Sequence, residues 1–106
     1  MKAHTPQSDY LISTLRGDPE LEVLVEMFVD EMPDRIAAIR HSAETGDVDC
    51  LRRLIHQIKG SAGSHGFQPI SDCAARLEDS IRNGRPEDEI RREVFALMEI
   101  CARARP

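Results

Sequence analysis

The sequence predicts an all-α fold, an antiparallel up-and-down four-helix bundle with one short extra helix at the N-terminus. Three observations lead to it. Hydrophobic residues make up 41% of the 106 residues, aromatic residues only 4%, and Trp is absent, a balance that suits an aliphatic helical core better than a sheet. Apolar residues recur with helical periodicity in long segments. The connections between these segments are short and rich in Gly, Pro, Asp and Asn, so consecutive helices must run antiparallel.

The extra helix is expected over residues 8–16. Ser8 and Asp9 begin it, Tyr10, Leu11 and Leu15 are its apolar positions, and Gly17 stops it. The bundle then occupies residues 18–104. Asp18 caps its first helix, with Pro19 at the first position and Glu20 and Glu22 in the first turn. The stripe of that helix is Leu21, Leu24, Val25, Phe28 and Met32. Pro33 bends or restarts it, and Ile36, Ile39 and Ala43 carry the apolar face on to the turn at Gly46 and Asp47. Asp47 caps the next helix, whose stripe is Leu51, Leu54, Ile55, Ile58 and Ala62 and which ends between Ala62 and Gly66. Pro69 opens another, with Ile70, Cys73, Ala74, Leu77 and Ile81 inward and Asn83-Gly84 as its stop. Pro86 and the acids Glu87, Asp88 and Glu89 begin the last, with Ile90, Val94, Leu97, Met98 and Cys101 inward. The tail from Arg103 to Pro106 is expected to fray.

Length and charge narrow the function. One hundred and six residues make a single domain. A formal charge of −5 argues against nucleic-acid binding, since phosphate backbones select basic surfaces. No apolar run approaches the ~20 residues of a membrane span, and Met1-Lys2-Ala3-His4 leads into no signal-peptide core. Neither export signal nor anchor is therefore expected. Cys50, Cys73 and Cys101 are odd in number and too far apart for a zinc pattern, which fits a reduced, cytoplasmic protein. Cys73 and Cys101 fall on apolar stripes and are expected in the core, and Met27, Met32 and Met98 are read as packing residues. No stripe is left over for a second bundle, so a monomer is expected.

The stretch from His56 to Gly66, His-Gln-Ile-Lys-Gly-Ser-Ala-Gly-Ser-His-Gly, is the most informative part of the chain. At about 100° per residue with Leu51 at zero, the apolar stripe lies within about 60° of the origin, whereas His56 falls near about 140° and Gly60 near about 180°. The imidazole thus flanks the core and meets water. Lys59 stands one turn further along the same face. Neutral imidazole, with an unperturbed pKa of about 6.5, is a nucleophile at neutral pH, and an ammonium beside it can offset the charge of about −2 that a phosphoryl group brings. Gly60 and Gly63 each cost about 1 kcal/mol against Ala in a helix, but their missing side chains admit a second protein close to the ring. Singly, each of these residues has an ordinary surface explanation. Together they are far less ordinary.

With Cys73 and Leu77-Glu78 after it, this string resembles the signature of histidine-containing phosphotransfer (HPt) domains, and the helical pattern extends the resemblance over residues 8–104. The resemblance implies a helical bundle whose exposed His56 shuttles a phosphoryl group, usually on Nε2, between aspartates of receiver domains. It implies a phosphotransfer protein rather than an enzyme, with no ATP site, either free-standing or part of a larger histidine kinase. The partners so implied are response-regulator receiver domains and a sensor histidine kinase. No metal or cofactor is expected on this chain, and Mg²⁺ is expected on the receiver. Lys59 would hold and neutralise the phosphoryl group. Arg52, Gln57, Gly60, Ser61, Gly63 and His65 would face the partner, with Arg52, Arg53 and Lys59 forming a basic patch that complements an acidic receiver pocket.

Glu78 follows the inward Leu77 as His56 follows the inward Ile55, which puts both on one side of an antiparallel interface. Glu78 is then placed to accept a hydrogen bond from Nδ1–H of His56, and the family often carries Gln or Glu there. A solvated Glu, or an ion pair with Lys59 or Arg82, is the ordinary alternative. His65 either lines the partner-facing surface or is a solvated loop residue, and His4 and His41 read as surface residues. Two rival functions stand beside phosphotransfer. A metal-dependent phosphohydrolase would need inward His or Asp ligands that the stripes do not contain. A non-catalytic helical adaptor that binds a signalling partner would need no exposed His beside a helix glycine.

Overall fold

The computed structural model describes residues 10–106. Helices α1 (Glu22–Asp30), α2 (Met32–Thr45), α3 (Val48–Ser64), α4 (Gln68–Arg82) and α5 (Glu87–Ala102) follow one another, framed by two short strands, β1 (Leu11–Ile12) and β2 (Ala104–Arg105). The four long helices close a ring, with α2 on α3, α3 on α4, α4 on α5 and α5 back on α2. Connections this short between packed neighbours make the bundle antiparallel, as the sequence predicts.

The helix boundaries follow local chemistry. Asp47 Oδ1 accepts the Cys50 amide at 3.1 Å and caps α3. Gly46 ends α2 in the left-handed region at φ 73°, where a side chain would be strained. Pro33 sits in the first turn of α2 and has no N–H to return to the preceding turn, so the helix breaks at Glu31 between α1 and α2. Pro69 stands in the first turn of α4, and Pro86 precedes a first turn of Glu87, Asp88 and Glu89 in α5.

The core is aliphatic along the predicted stripes. Ile39, Ile55, Ile58, Ile70, Leu77, Leu97 and Cys101 are fully enclosed. Phe67 joins them from the connection between α3 and α4, where periodicity does not reach, and it stacks on Phe28 with ring centroids 5.5 Å apart. Cys73 is only partly buried, at the edge of this core. Burial raises the Cys73 thiol and pushes that of Cys101 up to about 12, so both thiols stay protonated at neutral pH.

Four expectations are corrected. Within the predicted helix 8–16, residues 10–16 are not helical: Leu11 and Ile12 are extended and pair in parallel with Ala104 and Arg105. Ser8 and Asp9 lie outside the described residues. A helix so short is marginal by itself, whereas pairing satisfies the Leu11 amide on the Arg103 carbonyl at 2.8 Å and the Ser13 amide on Arg105 at 3.2 Å. For the same reason the tail does not fray, and Ala104 is buried. The first bundle helix starts at Glu22 rather than Asp18, because Asp18 Oδ1 caps the Glu20 amide at 3.0 Å and closes a separate turn. Finally, Leu24 and Met27 are exposed, not packed. α1 buries only Val25 and Phe28, the latter stacked on His65 and Phe67.

Candidate functional site

The helical phase of α3 turns its stripe inward and leaves His56 on the flank, with 68% of its side chain exposed. α4 packs along α3 and brings Glu78 opposite. Glu78 Oε2 lies 2.9 Å from His56 Nδ1, and Glu78 Oε1 accepts from Lys59 Nζ at 2.5 Å. One carboxylate thus holds both side chains, 22 and 19 residues away in sequence. Arg82 is not its partner but donates to Asp79 at 2.6 Å.

The hydrogen bond with Lys59 is the main reason the Glu78 carboxyl sits below its ordinary value, and the bond with His56 adds to it against the opposing effect of burial. An ionised carboxylate only accepts, so Nδ1 of His56 must carry its hydrogen. In a neutral ring with that tautomer, the lone pair is on the other nitrogen, Nε2.

The remaining predicted residues are spread along α3, from Arg52 in its second turn to Gly63 in its last, with His65 as its C-cap. Arg52 and Gln57 are exposed beside the ring and, with Asp49, Arg53, His56 and Glu78, line an open cavity of about 630 Å³. Gly60 opens to empty space, where an added methyl meets nothing within 4 Å. Gly63 differs, since its missing Cβ would stand 3.5 Å from Ser71 Oγ of α4. Ser61 is half-buried and gives its carbonyl to Nδ1 of His65 at 2.6 Å.

His65 is not a loop residue in water: it is the C-cap of α3 and is partly buried. Its ring lies flat on Phe28 at 4.8 Å, which fastens α1 to the C-terminal end of α3. Asp49 was not foreseen as a wall of the cavity. It stands seven residues before His56, about 20° away on the helical wheel, and that spacing would have found it.

Bundle and site together define a helical module that offers one oriented, solvent-facing imidazole. The family model described as Hpt domain matches residues 23–104, and the chain belongs to that family. Hpt domains are phosphotransfer modules of two-component signalling, without a catalytic site of their own, and they interact with kinases and response regulators. No curated protein and no solved structure matches the chain. Among the described residues no helix is long and apolar enough to cross a membrane.

Proposed function

We propose that His56 is the phosphoryl carrier of a phosphorelay, exchanging the group between aspartates of receiver domains. The observation that supports this most directly is the exposed ring with Nδ1 engaged by Glu78 and Nε2 open. The Nε2 lone pair attacks phosphorus roughly in line, and the bond to the aspartyl oxygen breaks with its electron pair left on that carboxylate. Nδ1 keeps its hydrogen, so the phosphorylated ring gains positive charge, which faces Glu78. The receiver supplies Mg²⁺ and most of the electrostatic stabilisation, and a sensor histidine kinase stands upstream. Lys59 adds positive charge at the edge of the site, and Gly60 leaves the approach clear. In this reading the chain works as a cytoplasmic monomer with neither ATP site nor turnover of its own. A transfer profile against a panel of receiver domains, read by gel within seconds, tests it: no transfer to or from any receiver would overturn the proposal.

Two substitutions test the parts. Gly60→Gln is expected to raise stability by about 0.5–1 kcal/mol, since Gln is the better helix former, and to slow transfer with a receiver about tenfold by obstructing the docked partner. A folded variant that transfers at the wild-type rate would refute the close-approach argument.

Glu78→Ala is expected to lower the share of the Nδ1–H tautomer of His56, read by nitrogen-15 NMR, and to slow phosphorylation about tenfold if ~1.4 kcal/mol of orientation is lost. Glu78→Gln keeps an acceptor oxygen and retains more of that tautomer. pH supplies a second readout. Because the folded Glu78 carboxyl lies below its ordinary value of 4.5, its contribution to stability is complete above that value and disappears as pH falls through the lowered one. Both variants should therefore lose less stability than wild type over that acid window in urea titrations.

A further inference from the structure

A phosphoryl group on Nε2 needs cationic partners, and Lys59 is poorly placed to be the principal one. Its ammonium is held by Glu78 Oε1, on the carboxylate that also holds Nδ1, and Lys59 is not among the residues lining the cavity beside the ring. Helix geometry explains why the cavity opens the other way. Side chains lean toward the N-terminus of their helix, so the His56 ring covers the turn before it. The residues three and four positions back are its neighbours there, and they are Arg53 and Arg52.

The charges in the cavity point the same way. Glu78 is offset by Lys59, which leaves Arg52 and Arg53 against Asp49, a local excess of one positive charge. Asp49 stands three and four residues before the two arginines, spacing at which Arg35, Arg82, Arg85, Arg91 and Arg92 pair with an acid of their own helix or its edge. Yet neither Arg52 nor Arg53 forms an ion pair within 4 Å with Asp49 or Glu78, the two carboxylates of the cavity. Two exposed guanidiniums therefore border a cavity that also contains the nucleophile. Their planar donor forks match the oxygens of a phosphoryl group.

We propose that Arg52 and Arg53 contact the phosphoryl oxygens on His56, while Lys59 is a positioning residue that acts through Glu78. The inference rests on His56 being the phosphoryl acceptor. It separates holding the group from docking the partner, because the arginines should act even when no receiver is present.

Phosphoramidate provides that test on the full chain. The Nε2 lone pair attacks phosphorus, the P–N bond breaks, and ammonia leaves with the bonding pair. The Arg52→Gln, Arg53→Gln double variant is expected to form phosphohistidine about tenfold more slowly than wild type, the loss of charge-assisted contacts at an exposed site. Its Nδ1–H tautomer share should stay at the wild-type value. In phosphorus-31 NMR the midpoint of the phosphoryl titration on His56 should rise in the double variant, because the guanidiniums favour the dianion, and Lys at both positions should restore part of the shift. A wild-type rate with phosphoramidate and an unmoved phosphoryl titration would overturn the assignment. Slowing seen only with a receiver would also overturn it, by assigning the arginines to partner steering. If wild-type chain takes no label on His56 from either phosphoramidate or a phosphorylated receiver, the phosphorelay reading itself fails and takes this inference with it.

Discussion

His56→Gln should abolish phosphoryl acceptance while leaving the bundle folded. In wild type the label should be destroyed by acid and survive base, as a phosphoramidate bond does, and it should be the one such label on the chain. The side chain is 68% exposed and stands outside the packed stripe, so its replacement should change stability by no more than about 0.5 kcal/mol. That separation makes the experiment informative, because lost labelling cannot then be assigned to unfolding. Label persisting in the His56→Gln protein, or a label stable to acid, would move the chemistry to another residue. Full signalling activity in that variant would favour the adaptor reading.

The largest stability effect among glycine substitutions should come from Gly66→Ala. Gly66 has φ 85°, and a methyl there would collide with Ser13 Oγ and stand 2.9 Å from the Thr14 amide nitrogen. Those atoms are themselves tied down: Ser13 Oγ donates to the His65 carbonyl at 2.7 Å, and the Thr14 amide donates to the Gly66 carbonyl at 2.9 Å. The substitution therefore adds a backbone clash to left-handed strain of about 1–2 kcal/mol, for a total loss of about 2–4 kcal/mol. Gly46→Ala is the control. It has φ 73° with nothing within 4 Å of the added methyl, and should show the strain alone. Urea titrations of both variants measure the difference, and equal losses would show that the N-terminal segment does not press on Gly66.

The outcome at Gly66 bears on how far one-dimensional reading reaches. The period of Leu51, Ile55, Ile58 and Ala62 turned one face of α3 inward and left His56 on its flank, because helical phase is a property of the chain itself. Caps such as Asp47 and the breaks at Pro33 and Gly46 were equally legible, since each acts on amides and carbonyls within a few residues. Leu11 and Ile12 show the limit. Their apolar spacing over so short a stretch does not separate helix from strand, and the partner that decides it, Ala104–Arg105, lies at the other end of the chain.

Around His56 the division is the same. Residue types and spacing single out the imidazole, Lys59 and the glycines, and the equal offsets of His56 from Ile55 and of Glu78 from Leu77 leave Glu78 three alternatives: orienting His56, pairing with Lys59 or Arg82, or standing free in water. Only the packing of α4 on α3 decided among them, by giving one carboxylate oxygen to each of His56 and Lys59 and leaving Arg82 to Asp79. Likewise, exposure of Leu24 and Met27 depends on how little of α1 the rest of the chain covers, and the seat of His65 depends on Phe28 reaching it. Hydrophobic period and capping are local and survive in a string of letters. Which carboxylate meets which cation, and which apolar residue finds no cover, depends on distances between segments that only the folded chain brings together.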